Sequence, residues 1–564
     1  MSAKNIVVIG GTAAGPKAAA RAKRLAPDAS VTLLQKAPEL SMASCGYPYY
    51  VAGEVKSRDA LLATPAGVVR DPAFFAGAKG VAAMVSTEVT AIDRKNKTVA
   101  WKNLATGQTG HLPYDKLILA TGSKPKMPPI PGRELEGVTT LASLEDADAL
   151  RVMSNGGQKR QAVIIGGGLI GLETCEALIT AGVAVTVVEA LPQILAFLDP
   201  ELALLVENHA RAKGAAIITG VGLAEILGQD GKVTAARLAD GREIPCDFLV
   251  MAIGVGPNTD LARAAGLTLG ATGGITTDEH MRTSDPDIYA AGDCVEVKNR
   301  LTGQMQLAPF GDLANLEGRV AGENAVLGEV ASFPGTIGSG ICKVFDFAAG
   351  ATGLSEARAR QAGLKVVTAV NASPDKPGFM GAKPLISKLV ADAATGKILG
   401  FQCVGPGNVN RQVAEMAMAV MAGLTVDDVA MADLPYAPPY SLAIDHAIAT
   451  AHIVQNKMRG LFTGQSSLAV KARLDAGEKP YLLDVRGPKE FEEMRLGLGE
   501  TLIPLGQLRK RLGELPADKS APIVAYCKVS MRGYEAEQVL RANGHTNVTV
   551  MEGGLVAWPF AREK

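Results

Sequence analysis

Two isolated cysteines carry the strongest chemical signals in this 564-residue chain. The seven cysteines stand at positions 45, 175, 246, 294, 342, 403 and 527. None is close enough to another for a CxxC redox pair or a zinc knuckle, so no metal site is expected. Thiol chemistry must then use lone sulfurs, each pairing with an external thiol, carrying a persulfide or cycling through a sulfenic acid. Most of the seven are expected to be buried small hydrophobes. Cys45 and Cys527 have neighbours that argue otherwise. Cys45 lies in the Gly/Pro turn Ser41-Met42-Ala43-Ser44-Cys45-Gly46-Tyr47-Pro48-Tyr49-Tyr50. Cys527 opens the loop Cys527-Lys528-Val529-Ser530-Met531-Arg532 between a strand ending at Tyr526 and a helix. There the helix dipole, Lys528 and Arg532 would favour a thiolate or a persulfide anion.

These thiols need electrons or sulfur delivered to them, and two glycine turns suggest the carriers. The strand Ala162 to Ile165 runs into Gly166-Gly167-Gly168-Leu169-Ile170-Gly171, a helix to about Gly182 and a strand from Val183 to Val188. Glu189 ends that strand, where a carboxylate accepts from a ribose 2′-OH and repels a 2′-phosphate. NADH is therefore expected before NADPH. The same layout opens the chain: a strand from Asn5 to Ile9, the turn Gly10-Gly11-Thr12-Ala13-Ala14-Gly15, a helix to Leu25 and a strand from Ser30 to Leu34. Thr12 replaces the middle glycine, and Gln35 followed by Lys36 stands where the ribose-binding acid is expected. Two dinucleotide units imply two dinucleotides, one held and one exchanged.

Two further segments, Tyr114 to Gly122 (ending Ala120-Thr121-Gly122) and Ile288-Tyr289-Ala290-Ala291-Gly292-Asp293, resemble the remaining flavin-site segments of the pyridine nucleotide–disulfide reductase family. That resemblance implies FAD at Gly10, Thr12, Ala13, Ala14, Gly15, Gln35, Lys36, Thr121, Gly122 and Asp293. It leaves the nicotinamide dinucleotide to Gly166, Gly168, Gly171 and Glu189. The Cys45 segment resembles the single-cysteine site of coenzyme A-disulfide reductases and related NADH oxidases and persulfide reductases. By that likeness Arg24, Ser41 and Ser44 contact coenzyme A. Tyr436 and Tyr440, in the loop Tyr436-Ala437-Pro438-Pro439-Tyr440, would reach the other subunit's cysteine in a homodimer. Tyr481 to Arg486, Pro504-Leu505, Val524 to Cys527 and Gly553 to Pro559 resemble a rhodanese domain with Cys527 as sulfur carrier, assisted by Arg532.

The expected architecture is α/β: an FAD-binding Rossmann-like domain over 1–150 and 245–328, an NAD(P)H-binding one over 151–244, an α+β dimerisation domain over 329–457, a linker over 458–467 and a rhodanese-like domain over 468–564. The Pro-rich stretch from Leu434 to Tyr440 is expected to be a fixed loop. Lys plus Arg and Asp plus Glu balance at 57 each, which argues against nucleic acid or an anionic membrane as main partner. With no basic-apolar leader at the N-terminus and no apolar run of ~20 residues, a cytoplasmic protein is expected. The implied activity is NAD(P)H-dependent reduction of coenzyme A persulfide, coenzyme A disulfide or polysulfide through Cys45. An NADH oxidase or peroxidase using a Cys45 sulfenate, and a flavin-bound redox sensor or scaffold with a rhodanese docking module, stay open.

Overall fold

Ile6, Val7, Val8 and Ile9 are buried on both faces of the strand Asn5–Ile9, which is how a parallel strand sits when helices cover both sides of its sheet. A computed structural model describes residues 5–155 and 160–564. They form two compact units, one of residues up to Ala190 with Ala215–Thr336, the other of Leu191–Gly214 with Ile337–Lys564.

The first unit contains two five-stranded parallel sheets. One has the order Ile288–Ala290, Lys116–Leu119, Asn5–Ile9, Ser30–Leu34, Ala82–Met84. The other has the order Ala216–Thr219, Ala184–Glu189, Gln161–Ile165, Phe248–Met251, Val138–Thr139. The first sheet takes strands from both sides of the second in sequence, so the chain of one sheet is interrupted by that of the other. Helices Ala14–Leu25 and Leu169–Thr180 follow the two glycine turns. Helix Gly311–Leu327 lies tightly on Ala14–Leu25: a Cβ on Gly318 would stand 2.3 Å from the Ala14 carbonyl oxygen, so only glycine allows this approach. Two antiparallel three-stranded meanders, Thr87–Asp93 with Thr98–Asn103 and Thr109–Pro113, and Leu223–Gln229 with Lys232–Leu238 and Glu243–Pro245, belong to the same unit.

The second unit joins an α+β sheet to a small α/β sheet. The α+β sheet is antiparallel, ordered Gly340–Val344, Phe347–Gly353, Ile398–Gly405, Pro384–Asp392, Val366–Pro374. Helix Val409–Ala422 follows the strand Ile398–Gly405. Helix Pro200–Ala212 groups here rather than with residues 151–244. Its anchor is a buried ion cluster in which Lys388 Nζ meets Glu201 at 2.6 Å, Glu356 at 2.7 Å and Asp199 at 3.2 Å. The C-terminal sheet is parallel, ordered Gly464–Gln465, Val548–Met551, Ile523–Tyr526, Tyr481–Asp484, Thr501–Leu502.

Residues 458–467 do not form a free tether. Gly464–Gln465 pairs with Val548–Met551, and the Ser466 hydroxyl caps helix Ser467–Asp475 by accepting from Ala469 N–H. Buried Glu552 accepts from Val370 N–H at 2.7 Å and pairs with Lys457. Glu552 thus ties the strand Val366–Pro374 and the helix His446–Met458 to the C-terminal sheet. Among the described residues no helix is long and apolar enough to cross a membrane.

Candidate functional site

Each glycine turn is shaped by contacts that a side chain would break. Gly10 has φ +108°, and a Cβ there would lie 2.0 Å from the Ala120 carbonyl oxygen; a Cβ on Gly15 would lie 1.8 Å from that of Gly10. Gly166 (φ +113°) would meet Ala252 O at 2.3 Å, and Gly171 would meet Gly166 O at 2.0 Å. Gly168 differs. Its φ is −80° and a Cβ would meet no protein atom within 4 Å. Nothing in the fold demands glycine at 168, so the requirement points outward, to a ligand pressed against the backbone. The two helices that follow have no side-chain N-cap and no acidic residue in the first turn. Their first N–H groups and positive dipole ends are thus left for an anion.

A matching hydrogen bond closes each turn. Gln35 Oε1 accepts from Gly11 N–H at 2.8 Å, and Glu189 Oε2 accepts from Gly167 N–H at 2.6 Å. The sequence reading assigned both side chains to ribose; one oxygen of each is engaged with its own turn. Lys36 pairs with Glu88 at 2.8 Å on the surface. Thr12 is exposed and Ala13 half-buried at the mouth of the first turn, while Ala14 is buried as its helix begins.

The parallel register gathers the other predicted positions at this edge. Ile9 pairs with Leu119, and Leu119 with Ala290, so Thr121, Gly122 and Asp293 emerge beside Gly10 although they lie far away in sequence. Gly122 takes φ +69°, the Thr121 hydroxyl donates to Asn258 O at 2.6 Å, and the Ser123 hydroxyl donates to Asp293 at 2.7 Å. Burial pushes the Asp293 carboxyl above the usual range.

Cys45 sits at the same edge. It lies in the 3₁₀ turn Ser44–Gly46 that feeds helix Tyr47–Val51. Ser41, at φ +51°, donates its N–H to Gly11 O at 2.7 Å, and Ala43 donates to Leu61 O at 2.9 Å. The first bond moors the cysteine segment to the first glycine turn, the second to helix Arg58–Leu62. Cys45 is the one exposed cysteine; the other six are buried. The thiol is pushed up, first by burial of the sulfur and then by the carboxylates of Glu173 and Asp293. Glu173 is itself raised to about 7 by burial and by Glu176. It was missed in the sequence, although its place two residues after Gly171 puts it just beyond the first turn of the second dinucleotide helix. Ser44 is exposed beside Cys45 and Ser41 is half-buried; Arg24, in the last turn of its helix, is exposed and pairs with no carboxylate among the described residues.

In the second unit, Tyr436 and Tyr440 project from an irregular Pro-rich loop and are 51% and 72% exposed. Arg411 holds the loop, donating to Tyr440 O at 3.2 Å while pairing with Asp445 and Glu415. Cys527 ends the strand Ile523–Tyr526 and is fully buried. Its Sγ accepts from Ser530 N–H at 3.2 Å, and Ser530 adopts φ +99°, unusual for a side-chain-bearing residue. Ser530 Oγ is buried without a hydrogen-bond partner among the described residues. Arg532, expected to assist Cys527, forms a bidentate pair with Glu490 at 2.7 and 2.8 Å while its guanidinium also faces Cys527. Glu490 escaped sequence reasoning; its signal was an acid three residues after the Gly487 helix cap.

The family profile of pyridine nucleotide-disulphide oxidoreductases matches residues 4–310, and that family's dimerisation domain matches residues 340–448. The chain belongs to this family. A rhodanese-like domain profile matches residues 467–560 of the same member. Among curated relatives, an NADH oxidase of Methanocaldococcus jannaschii is 33% identical over 77% of this chain and 95% of its own length. A CoA-dependent NAD(P)H sulfur oxidoreductase of Pyrococcus abyssi is 34% identical over 80% and 98%. The solved NAD-dependent persulfide reductase of A. fulgidus superposes with a TM-score of 0.93 and 42% identity, covering 98% of this chain and all of that one. The expected fold class, an oxidoreductase with a fused rhodanese-like domain, is thus borne out.

Proposed function

We propose that this oxidoreductase uses NAD(P)H, with NADH preferred, and FAD to reduce coenzyme A persulfide, coenzyme A disulfide or polysulfide at Cys45, while Cys527 carries sulfane sulfur. One observation carries the reading: the segment of the single exposed cysteine is moored by the Ser41 hydrogen bond to the first glycine turn, and the thiol lies within electrostatic reach of Asp293 and of Glu173 on the second dinucleotide helix. A thiol there stands between the seats for both dinucleotides. The likeness to the A. fulgidus reductase and the P. abyssi oxidoreductase supports the choice of acceptor.

The residues fit the two groups. Gly168 leaves room for a pyrophosphate, both dinucleotide helices start uncapped, and Asp293 borders the first turn. FAD bound at the first turn would accept a hydride from the nicotinamide and return two electrons to a disulfide. Cys45, once deprotonated, attacks the inner sulfur of a persulfide RS–SH. Its new S–S bond to RS forms as the RS–SH bond breaks, and hydrosulfide leaves with the electron pair. Two electrons then split the Cys45–SR disulfide into two thiolates. Glu173, titrating near 7 within electrostatic reach of the thiol, has the proton affinity of a base working at neutral pH. In the C-terminal domain the buried, unpartnered Ser530 hydroxyl beside Cys527 offers a donor to a terminal sulfur.

The uncompensated Arg24 cation, the exposed Ser44 and the half-buried Ser41 suit the phosphates and thiol arm of coenzyme A. By the same reading the Tyr436 loop, held by Arg411, supplies the partner subunit's active site in a homodimer, and the absence of any membrane-crossing helix among the described residues agrees with work in the cytoplasm. The M. jannaschii relative favours a second reading, NADH oxidation by oxygen. Steady-state NADH oxidation with coenzyme A persulfide, polysulfide, coenzyme A disulfide and oxygen separates the two. Cys45→Ser should lose sulfide release by about a thousandfold or more, on the scale of removing a nucleophile. Undiminished sulfide release from that variant would falsify the mechanism.

A further inference from the structure

The charge at the mouth of the Cys527 loop is set by a residue outside the loop. Arg532, in the first turn of helix Met531–Ala542, faces Cys527. Two of its nitrogens, however, donate to the two oxygens of Glu490 at 2.7 and 2.8 Å. The pair is about one-third exposed on each side, so solvent reaches it beside the buried sulfur that Arg532 faces.

Glu490 is held in place by a chain of bonds. Buried Asp484 and Arg486 form a salt bridge at 2.6 Å. Arg486 also donates to the carbonyl of Glu490 at 3.0 Å and to that of Met494 at 2.7 Å. Helix Pro488–Glu493 is thereby fixed at both ends, and Gly487 N–H donates to the Glu490 carboxylate at 3.0 Å. The carboxylate meets Arg532 in one geometry. Lys528 is exposed and pairs with no carboxylate among the described residues.

The arrangement bears on which sulfur donor can load Cys527. A guanidinium fork binds two oxygens of an oxyanion side by side, and thiosulfate would present such oxygens on its sulfonate sulfur. Here that fork is taken by Glu490. Loading from thiosulfate breaks its S–S bond, forms Cys527–S–S⁻ and releases sulfite with the electron pair, so negative charge gathers where Arg532 is already neutralised. Loading from a thiol persulfide RS–SH forms the same product and releases RSH, which takes the persulfide's proton. No oxyanion develops in that step.

We propose that Glu490 is a specificity-determining residue that turns the Cys527 site away from thiosulfate-type oxyanion donors and towards persulfides of small thiols. The inference rests on the reading of Cys527 as sulfur carrier and deepens it.

The full-length protein tests it by persulfidation of Cys527 read by peptide mass spectrometry, with thiosulfate or cysteine persulfide as donor. Glu490→Gln keeps the shape and removes the charge; it should raise the kcat/KM ratio of thiosulfate over cysteine persulfide about tenfold, mainly through a lower thiosulfate KM, with a gain that fades as salt is raised. Glu490→Asp, which keeps the charge, should stay near the parent ratio. A ratio that does not move in Glu490→Gln, or parallel changes with both donors, would overturn the proposal. Cys527→Ser is read separately: sulfur loading that persists at position 527's peptide or an undiminished sulfurtransferase rate in that variant would refute the carrier reading itself, whatever Glu490 does.

Discussion

Glycine at 168 separates a turn built for packing from a turn built for a ligand. Gly166 is required by the fold: with φ +113° and a Cβ position 2.3 Å from the Ala252 carbonyl oxygen, Gly166→Ala should cost about 2 kcal/mol or more, combining backbone strain with overlap. Gly168 is not, since an alanine Cβ there meets open space at an ordinary φ of −80°. Gly168→Ala should melt at the parent temperature or slightly above it, because the unfolded chain loses freedom worth about 0.4–1 kcal/mol. If the turn seats a pyrophosphate, the same methyl pushes the phosphate off the helix N-terminus and weakens one charge-assisted hydrogen bond of about 1.5–3 kcal/mol. NADH affinity should then fall about 10- to 100-fold. Thermal melting of the flavin-loaded enzyme, NADH titration and the KM for NADH read the two effects separately. A Gly168→Ala enzyme that binds NADH within twofold of the parent would refute the phosphate seat and leave these glycines a packing role.

Glu173→Gln removes a carboxylate that raises the Cys45 thiol. Because Glu173 gains its charge near pH 7, it opposes thiolate formation most above that pH; in the variant, Cys45 alkylation by iodoacetamide should set in at lower pH, and an unshifted profile counts against the coupling. Lys388→Met leaves the buried carboxylates of Asp199 and Glu201 without their cation, which should cost about 3–5 kcal/mol at neutral pH. The orphaned acids then have folded pKa values above their unfolded ones, so the native state takes up protons. The deficit in melting temperature should shrink as pH falls towards 5 and grow as it rises; a deficit independent of pH would show that packing, not charge, is lost.

Both dinucleotide sheets were legible because their signal is local: an apolar strand, glycines at fixed offsets, a helix. The Cys45 turn and the Cys527 loop were legible for the same reason. What escaped depends on pairs distant in sequence. Glu490 and Arg532 lie 42 positions apart, and their pairing, which neutralises the cation expected to serve Cys527, follows only from the packing of helix Pro488–Glu493 beside the loop. Glu173 reads in sequence as one more helix residue; its raised pKa comes from burial that no periodicity reveals. Lys388 sits in a strand of buried apolar residues, where a lone lysine gives no hint that Asp199, Glu201 and Glu356 will surround it. Residues 458–467 looked like a linker because Gly, Ser and Gln favour loops, yet two of them complete the edge of a sheet.

The two turns also contain a natural control for the choice of dinucleotide. Gln35 and Glu189 each accept from the N–H of the second turn residue, at 2.8 and 2.6 Å. Since a neutral amide closes the first turn, Glu189→Gln should close the second as well, leaving shape intact and removing one negative charge. The ribose 2′-OH of NADH can still bond to an amide, whereas the 2′-phosphate of NADPH no longer meets a like charge. At contact distances and a surface-like dielectric, that repulsion amounts to a few kcal/mol before screening, so the ratio of kcat/KM for NADPH over NADH should rise about tenfold or more. The gain should appear in KM rather than kcat, because the charge acts on binding far from the nicotinamide. A ratio unmoved by the substitution would mean that Glu189 serves only its turn, and that the preference between the two dinucleotides is set elsewhere in the strand-end loop.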